Sequence, residues 1–262
     1  MTTAAPLETF TLREGHGLPL VLLHGFPVDH RMWAEVAAAL PGDVTVVAVD
    51  LPGLGGSPLA GEPSLEAAAD ATAAALAAVG VRRAVVAGLS MGGYVALALA
   101  ERHPDLVAGL GLVDTKSTAD SDDARANRLR IADEAARAQT VDAVLGMPGA
   151  MLGETSKAVR PQLTARIEEW IRGQRPDGVA WSQRAMAARP DRTHVLEGFA
   201  GPVAVVIGEE DGITPAAEAE HMVAAAPSAQ LVQVAGAGHM SAVEDAAAVA
   251  DALADLLARA AD

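Results

Sequence analysis

Ser90 stands in the run Gly88-Leu89-Ser90-Met91-Gly92, with a glycine two positions away on either side. The segment before it, residues 83–87, is short and β-branched, and the segment after it, residues 92–102, has the composition of a helix. A hydroxyl placed at a strained strand-to-helix turn is lifted clear of the sheet and becomes a candidate nucleophile. Side chains at 88 or 92 would collide with the neighbouring backbone, so the glycines serve that turn. The bland alternative is a serine that only caps a helix. A second run, Leu23-His24-Gly25-Phe26-Pro27, weighs against it. It ends another apolar segment, 18–23, where a loop can present the backbone N–H that an acyl-transfer site needs to hold a developing oxyanion. The expected donors are the amides of Phe26 and Met91, while His24 is expected to fix the loop through hydrogen bonds.

A serine hydroxyl is a weak nucleophile at neutral pH and needs a base in reach. Of the seven histidines, His239 alone has suitable surroundings, in Ala235-Gly236-Ala237-Gly238-His239-Met240-Ser241, just past the last predicted strand. The orienting acid that sets the imidazole tautomer has two candidates at strand ends. Asp211, in Gly208-Glu209-Glu210-Asp211-Gly212-Ile213-Thr214-Pro215, is the choice; Asp114, after residues 107–113, is the alternative. Glu209 and Glu210 are expected to be solvated neighbours.

These residues need a scaffold that gathers strand ends on one side. Short, nearly uninterrupted apolar runs at 18–23, 44–49, 83–87 and 107–113 alternate with helix-length segments at 32–40, 64–79 and 92–102. That rhythm predicts parallel strands covered on both faces, with 7–13 as an edge strand. From 115 to 199 the β-runs vanish, and helix-prone stretches at 121–139, 156–172 and 179–188 predict a helical cap inserted into the sheet domain. The rhythm resumes with a strand at 203–207, a helix at 215–225, a strand at 230–234 and a helix at 242–260. The expected organisation is a core of residues 1–114 and 200–262 with a cap of 115–199.

The 262 residues suffice for one such domain. A formal net charge of −15 excludes nucleic-acid and anionic-membrane partners, whose affinity rests on Lys and Arg. The absence of cysteine removes disulfides, thiolate metal sites and a Cys nucleophile. The opening residues, MTTAAPLETF, lack the basic and apolar regions of a signal peptide, and no apolar stretch is long enough to span a membrane, so a cytoplasmic protein is expected.

With Ser90, Asp211 and His239 in that chain order, the sequence resembles the α/β-hydrolase superfamily over nearly its whole length. His24-Gly25-Phe26 is similar to the oxyanion loop of that family, Gly88 to Gly92 to its nucleophile elbow, Gly208 to Pro215 to its acid loop and Gly236 to His239 to its histidine loop. Asp50-Leu51-Pro52-Gly53-Leu54-Gly55-Gly56-Ser57 is similar to a turn its members carry, and is expected to shape a loop. The resemblance implies a mostly parallel α/β-hydrolase sheet flanked by helices, and a small capped serine hydrolase that cleaves an ester or lactone of a small, largely apolar substrate. No metal or organic cofactor is called for, and a monomer or homodimer is expected. Met147, Met151, Trp170, Trp181 and Met186 are the cap candidates for lining the pocket. Arg184 and Arg189 could bind a substrate carboxylate, but a surface position is the preferred reading for both. A serine at 90 sets the chain apart from the dehalogenases and epoxide hydrolases of the superfamily. C–C hydrolases, perhydrolases and hydroxynitrile lyases, the last with Lys116 or Lys157, stay open, as does a ligand-binding receptor that keeps the fold.

Overall fold

The computed structural model describes residues 5–261, so Met1 to Ala4 of the opening stretch and Asp262 lie outside the described residues. Seven strands form one sheet: β1 (Thr9–Arg13), β2 (Leu20–Leu23), β3 (Val46–Val49), β4 (Ala84–Leu89), β5 (Val107–Val113), β6 (Val203–Gly208) and β7 (Ala229–Val234). Their order is β1-β3-β2-β4-β5-β6-β7. Only β1 runs antiparallel, against β3. From β2 to β6 every strand residue is buried, as continuous apolar runs require when helices cover both faces. β7 is the open edge, with Leu231 exposed.

The helices of the sheet layers are α1 (Ala34–Ala39), α2 (Leu65–Ala78) and α3 (Met91–Arg102) before the insertion. Between β5 and β6 come α4 (Asp122–Ala138), α5 (Asp142–Leu145), α6 (Pro148–Met151), α7 (Glu154–Val159), α8 (Gln162–Arg172), α9 (Pro176–Ala187) and α10 (Thr193–Gly198), with no strand among them. After β6 come α11 (Ala216–Ala225), α12 (Ser241–Glu244) and α13 (Ala246–Ala261). α4 and α9 pack along each other, whereas α10 lies against α3 and α11.

Several elements differ from the sequence expectation for identifiable reasons. The stretch 156–172 is two helices because Pro161 has no N–H to continue the first. The C-terminal stretch breaks at Asp245, which leaves the helical region (φ −144°, ψ 77°) and caps α13 by accepting the Ala248 N–H at 3.1 Å. β4 runs two residues further than expected, through Gly88 and Leu89, because both pair with β5 opposite Leu112 and Val113.

The strand order positions the site. The chain leaves β2 toward β3 on one side, and β4 then takes the place on the other side of β2. Loops after β2 and β4 therefore diverge, opening a crevice at their carboxyl ends, where open α/β sheets place ligands.

Candidate active site

Ser90 occupies the turn between β4 and α3 with φ 51° and ψ −110°, a backbone conformation that L-residues rarely adopt. The turn is held from both ends. The Ser90 N–H donates to the Val113 carbonyl at 2.9 Å, and the Ser90 carbonyl accepts from Gly93 N–H (2.9 Å), Tyr94 N–H (3.2 Å) and the Thr115 hydroxyl (2.7 Å). Its glycines are sterically required: a Cβ at Gly88 would stand 2.2 Å from the Gly92 carbonyl, and one at Gly92 would stand 2.1 Å from the Leu23 oxygen.

His239 lies 2.9 Å from Ser90 through Nε2···Oγ, and 2.8 Å from Asp211 through Nδ1···Oδ2. The other Asp211 oxygen accepts the N–H groups of Ile213 (2.8 Å) and Thr214 (2.9 Å), which orients the carboxylate toward the ring. That pairing puts a proton on Nδ1 and leaves Nε2 free to accept from the hydroxyl. Burial pulls the His239 pKa down. The Asp211 hydrogen bond and the negative charges of Asp211, Asp114 and Glu244 more than offset it, and the net shift is upward.

Asp114 does not touch the ring. Its Oδ1 accepts Gly208 N–H at 2.9 Å, and its Oδ2 accepts Ser241 N–H at 3.0 Å and meets the Ser241 hydroxyl at 2.6 Å. It thereby ties the end of β5 to the acid loop and the histidine loop. Burial, joined by the Asp211 charge and opposed by His239, pushes its pKa up to about 7.

The loop after β2 runs against Ser90: a Cβ at Gly25 would stand 3.8 Å from Ser90 Cβ. Phe26 N–H and Met91 N–H meet no acceptor among the described residues, as the first residue of a helix must leave its own N–H unpaired. His24 is fully buried, accepts Leu51 N–H on Nε2 at 2.8 Å and bonds the Gly25 carbonyl through Nδ1 at 2.8 Å. It pins the β2 loop to the β3 loop, and burial lowers its pKa despite nearby Asp50. Asp50 shapes the β3 loop by accepting from the backbone of His30 and Gly56, both at 2.9 Å.

Asp29, His30 and Asp50 are the group whose side-chain atoms lie close enough for a metal, but their oxygens are engaged. Arg31 holds both Asp29 oxygens at 2.8 and 2.7 Å, Gln174 donates to one of them at 2.8 Å, and His30 occupies Asp50. The cluster ties the β2 and β3 loops to the α8–α9 corner.

The cap candidates fall in different places. Met151 is buried and gives its carbonyl to the His239 N–H at 2.7 Å. Met147 lines a cavity of about 270 Å³ with Arg128, Ile131 and Gln183, and the Met186 sulfur lies 3.3 Å from Arg128. Trp181 donates its indole N–H to the Gly61 carbonyl at 3.0 Å, and Trp170 packs under the guanidinium groups of Arg166 and Arg31. Arg184 pairs with Asp133 on the surface. Arg189 is buried, pairs with Asp120 at 2.8 Å and lies 4.1 Å over the Tyr94 ring, so its charge is already matched. Lys157 pairs with Glu154, and Lys116 faces Asp120 at 3.8 Å. Glu210 binds the N–H and hydroxyl of Thr155, at 2.9 and 2.6 Å, and so attaches the acid loop to α7 in addition to meeting solvent. Sequence reasoning missed this tie and the Thr115 contact, because each joins segments distant in the chain.

A family model described as alpha/beta hydrolase fold matches residues 19–246. The chain belongs to that family and is an ester-hydrolysing enzyme. The pimeloyl-[acyl-carrier protein] methyl ester esterase of Neisseria meningitidis serogroup C is 32% identical over 234 residues, covering 83% of this chain and 85% of that protein. A thermophilic esterase from Thermogutta terrifontis, solved with malate bound, superposes with a TM-score of 0.92 at 34% identity, over 98% of this chain and 94% of its own. The enol-lactonase from Burkholderia xenovorans LB400 gives 0.84 at 26% identity over 96% of both chains. Among the described residues no helix is long and apolar enough to cross a membrane.

Proposed function

We propose that this enzyme is a serine carboxylesterase that opens an ester or lactone bond of a small, largely apolar substrate through an acyl-enzyme on Ser90. The observation that carries the reading is the continuous hydrogen-bonded line Asp211–His239–Ser90, at 2.8 and 2.9 Å, ending on a hydroxyl at a strained turn. His239 takes the Ser90 proton on Nε2 as Oγ attacks the carbonyl carbon. Asp211 keeps the ring in the required tautomer and stabilises the imidazolium. The unpaired N–H groups of Phe26 and Met91 receive the oxyanion, where one such donor is worth about 10²–10³ in rate. His239 then protonates the leaving alcohol, and water repeats the sequence on the acyl group. No step calls for a metal.

The methyl ester esterase and the enol-lactonase among its relatives point to a small alcohol or an internal ester as the leaving group. The helices between β5 and β6 form the cap that closes over the serine. Arg189 and the two lysines have partners within the chain, which supports an uncharged substrate end and leaves the lyase reading without a free lysine. A fluorophosphonate probe is expected to label Ser90, and short aryl and methyl esters and lactones to be turned over with an acylation burst that Ser90→Ala abolishes. Folded wild-type protein that shows neither labelling nor turnover refutes the reading.

A further inference from the structure

Glu244, at the end of α12, is 2% exposed and has no part in the chemistry above. Its Oε1 accepts the N–H groups of Gly238 at 2.9 Å and Met240 at 3.1 Å, the two residues that flank His239. Its Oε2 accepts Gly153 N–H, from the turn between α6 and α7, at 2.9 Å. The N–H of His239 itself goes to Met151 in the same turn, at 2.7 Å. Three successive amides of the histidine loop are thus held by one buried carboxylate and one carbonyl. The two segments meet backbone to backbone: a Cβ at Gly238 would stand 2.3 Å from the Gly153 nitrogen. Arg160, just after α7, closes the arrangement by donating to the main-chain oxygen of Glu244.

From this geometry we infer that Glu244 is the positioning residue of the base: it fixes the peptide from which the His239 ring hangs and locks that peptide to the α6–α7 turn. Asp211 orients the ring through Nδ1 but cannot set where the main chain lies. Proton transfer tolerates little displacement, since an error near 1 Å can cost about 10²-fold in rate. A carboxylate that takes three N–H donors is a strong and short-range clasp. The acidic groups bearing on the His239 ring are Asp211, Asp114 and Glu244, and the negative charge of Glu244 raises the His239 pKa along with the other two.

The inference rests on His239 acting as base for Ser90, and the test separates the two. Wild type, Glu244→Gln and Glu244→Asp are titrated by burst or probe, so that rates refer to competent serines. Both variants are expected to lose about 10-fold or more in kcat per titrated serine, with KM little changed. The glutamine variant is also expected to move the acid limb of kcat/KM to lower pH, because a charge that raises the His239 pKa is gone. The aspartate variant keeps the charge and should leave that limb in place. Unchanged kcat in both, or a change confined to KM, overturns the role of Glu244. A wild type with no Ser90-dependent burst overturns the triad instead. Should the variants not fold, amide exchange in the wild type decides: Gly238, His239 and Met240 must be protected, and exchange at the rate of open loops overturns the clasp.

Discussion

Replacing Asp114 by asparagine should change how stability depends on pH. Asp114 is fully buried and its folded pKa lies at about 7, against 3.8 for the unperturbed group, with burial as the main cause. As pH rises from about 4 to 7 the unfolded chain releases this proton while the folded chain keeps it, so the wild type loses stability over that window. A gap of about three pH units corresponds to roughly 4 kcal/mol at about 1.4 kcal/mol per unit. Asparagine is neutral throughout and resembles the protonated acid. It loses one of the carboxylate's acceptor sites toward Gly208 or Ser241, but that offset does not vary with pH. His239 pulls in the same direction: its raised pKa gives stability that is complete below 6.5 and lost as pH climbs through the folded value, and the Asp114 charge, absent from the variant, is one cause of that rise. The difference between the two proteins therefore reports Asp114 together with its coupling to His239. Urea titrations of both at intervals between about pH 4 and pH 8 should show the variant gaining on the wild type by roughly 4 kcal/mol across the range. A difference that stays flat to within about 1 kcal/mol would refute the argument that Asp114 holds its proton to near neutrality.

Asp211→Asn should leave the fold intact and lower kcat by about 10⁴, because the amide donates where Nδ1 must donate and drives the proton onto Nε2; steady-state kinetics at pH 7 checks it, and a loss under tenfold speaks against the tautomer argument. Gly88→Ala forces a methyl to 2.2 Å from the Gly92 carbonyl, so chemical denaturation should register a loss of about 3 kcal/mol or more, and a change below about 1 kcal/mol would contradict it. His24→Leu leaves the buried Leu51 N–H unpaired and should cost about 1–3 kcal/mol together with part of kcat; full activity in that variant would show that the β2 loop needs no such pin.

Much of the sheet was legible because strands buried on both faces must be apolar throughout, as at residues 107–113, where expected and observed bounds coincide. The end of β4 was harder to see, since Gly88 has no side chain to signal a strand and is placed there by its partner Leu112. Between β5 and β6, α5 and α6 have four residues each, too few for a helical period to show. In the candidate site, residue types and glycines marked Ser90 and His239, whereas Asp114 and Asp211 both stand at strand ends and only the glycine-bounded loop around Asp211 favoured it. The separation comes from the Ser241 and Gly208 amides, which turn the Asp114 carboxylate away from the ring. Glu210 looked like any exposed acid because its partner, Thr155, lies 55 residues away.

β5 and β6 pair side by side although 89 residues, 114–202, separate Val113 from Val203. Closing that loop, rather than one of about 20 residues, costs only about 1.3 kcal/mol, since closure entropy grows with the logarithm of length. The length of the insertion is thus a mild burden on the sheet, and residues can be added or removed at its exposed joints at little expense to chain closure. What resists change are the places where backbone meets backbone, Gly153 against Gly238 in the α6–α7 turn and Gly178 of α9 against Gly53. Laboratory evolution for new substrates should therefore find its tolerated insertions at exposed joints such as Gln139–Thr140, between α4 and α5, and its lethal ones at the α6–α7 turn and in the buried α9.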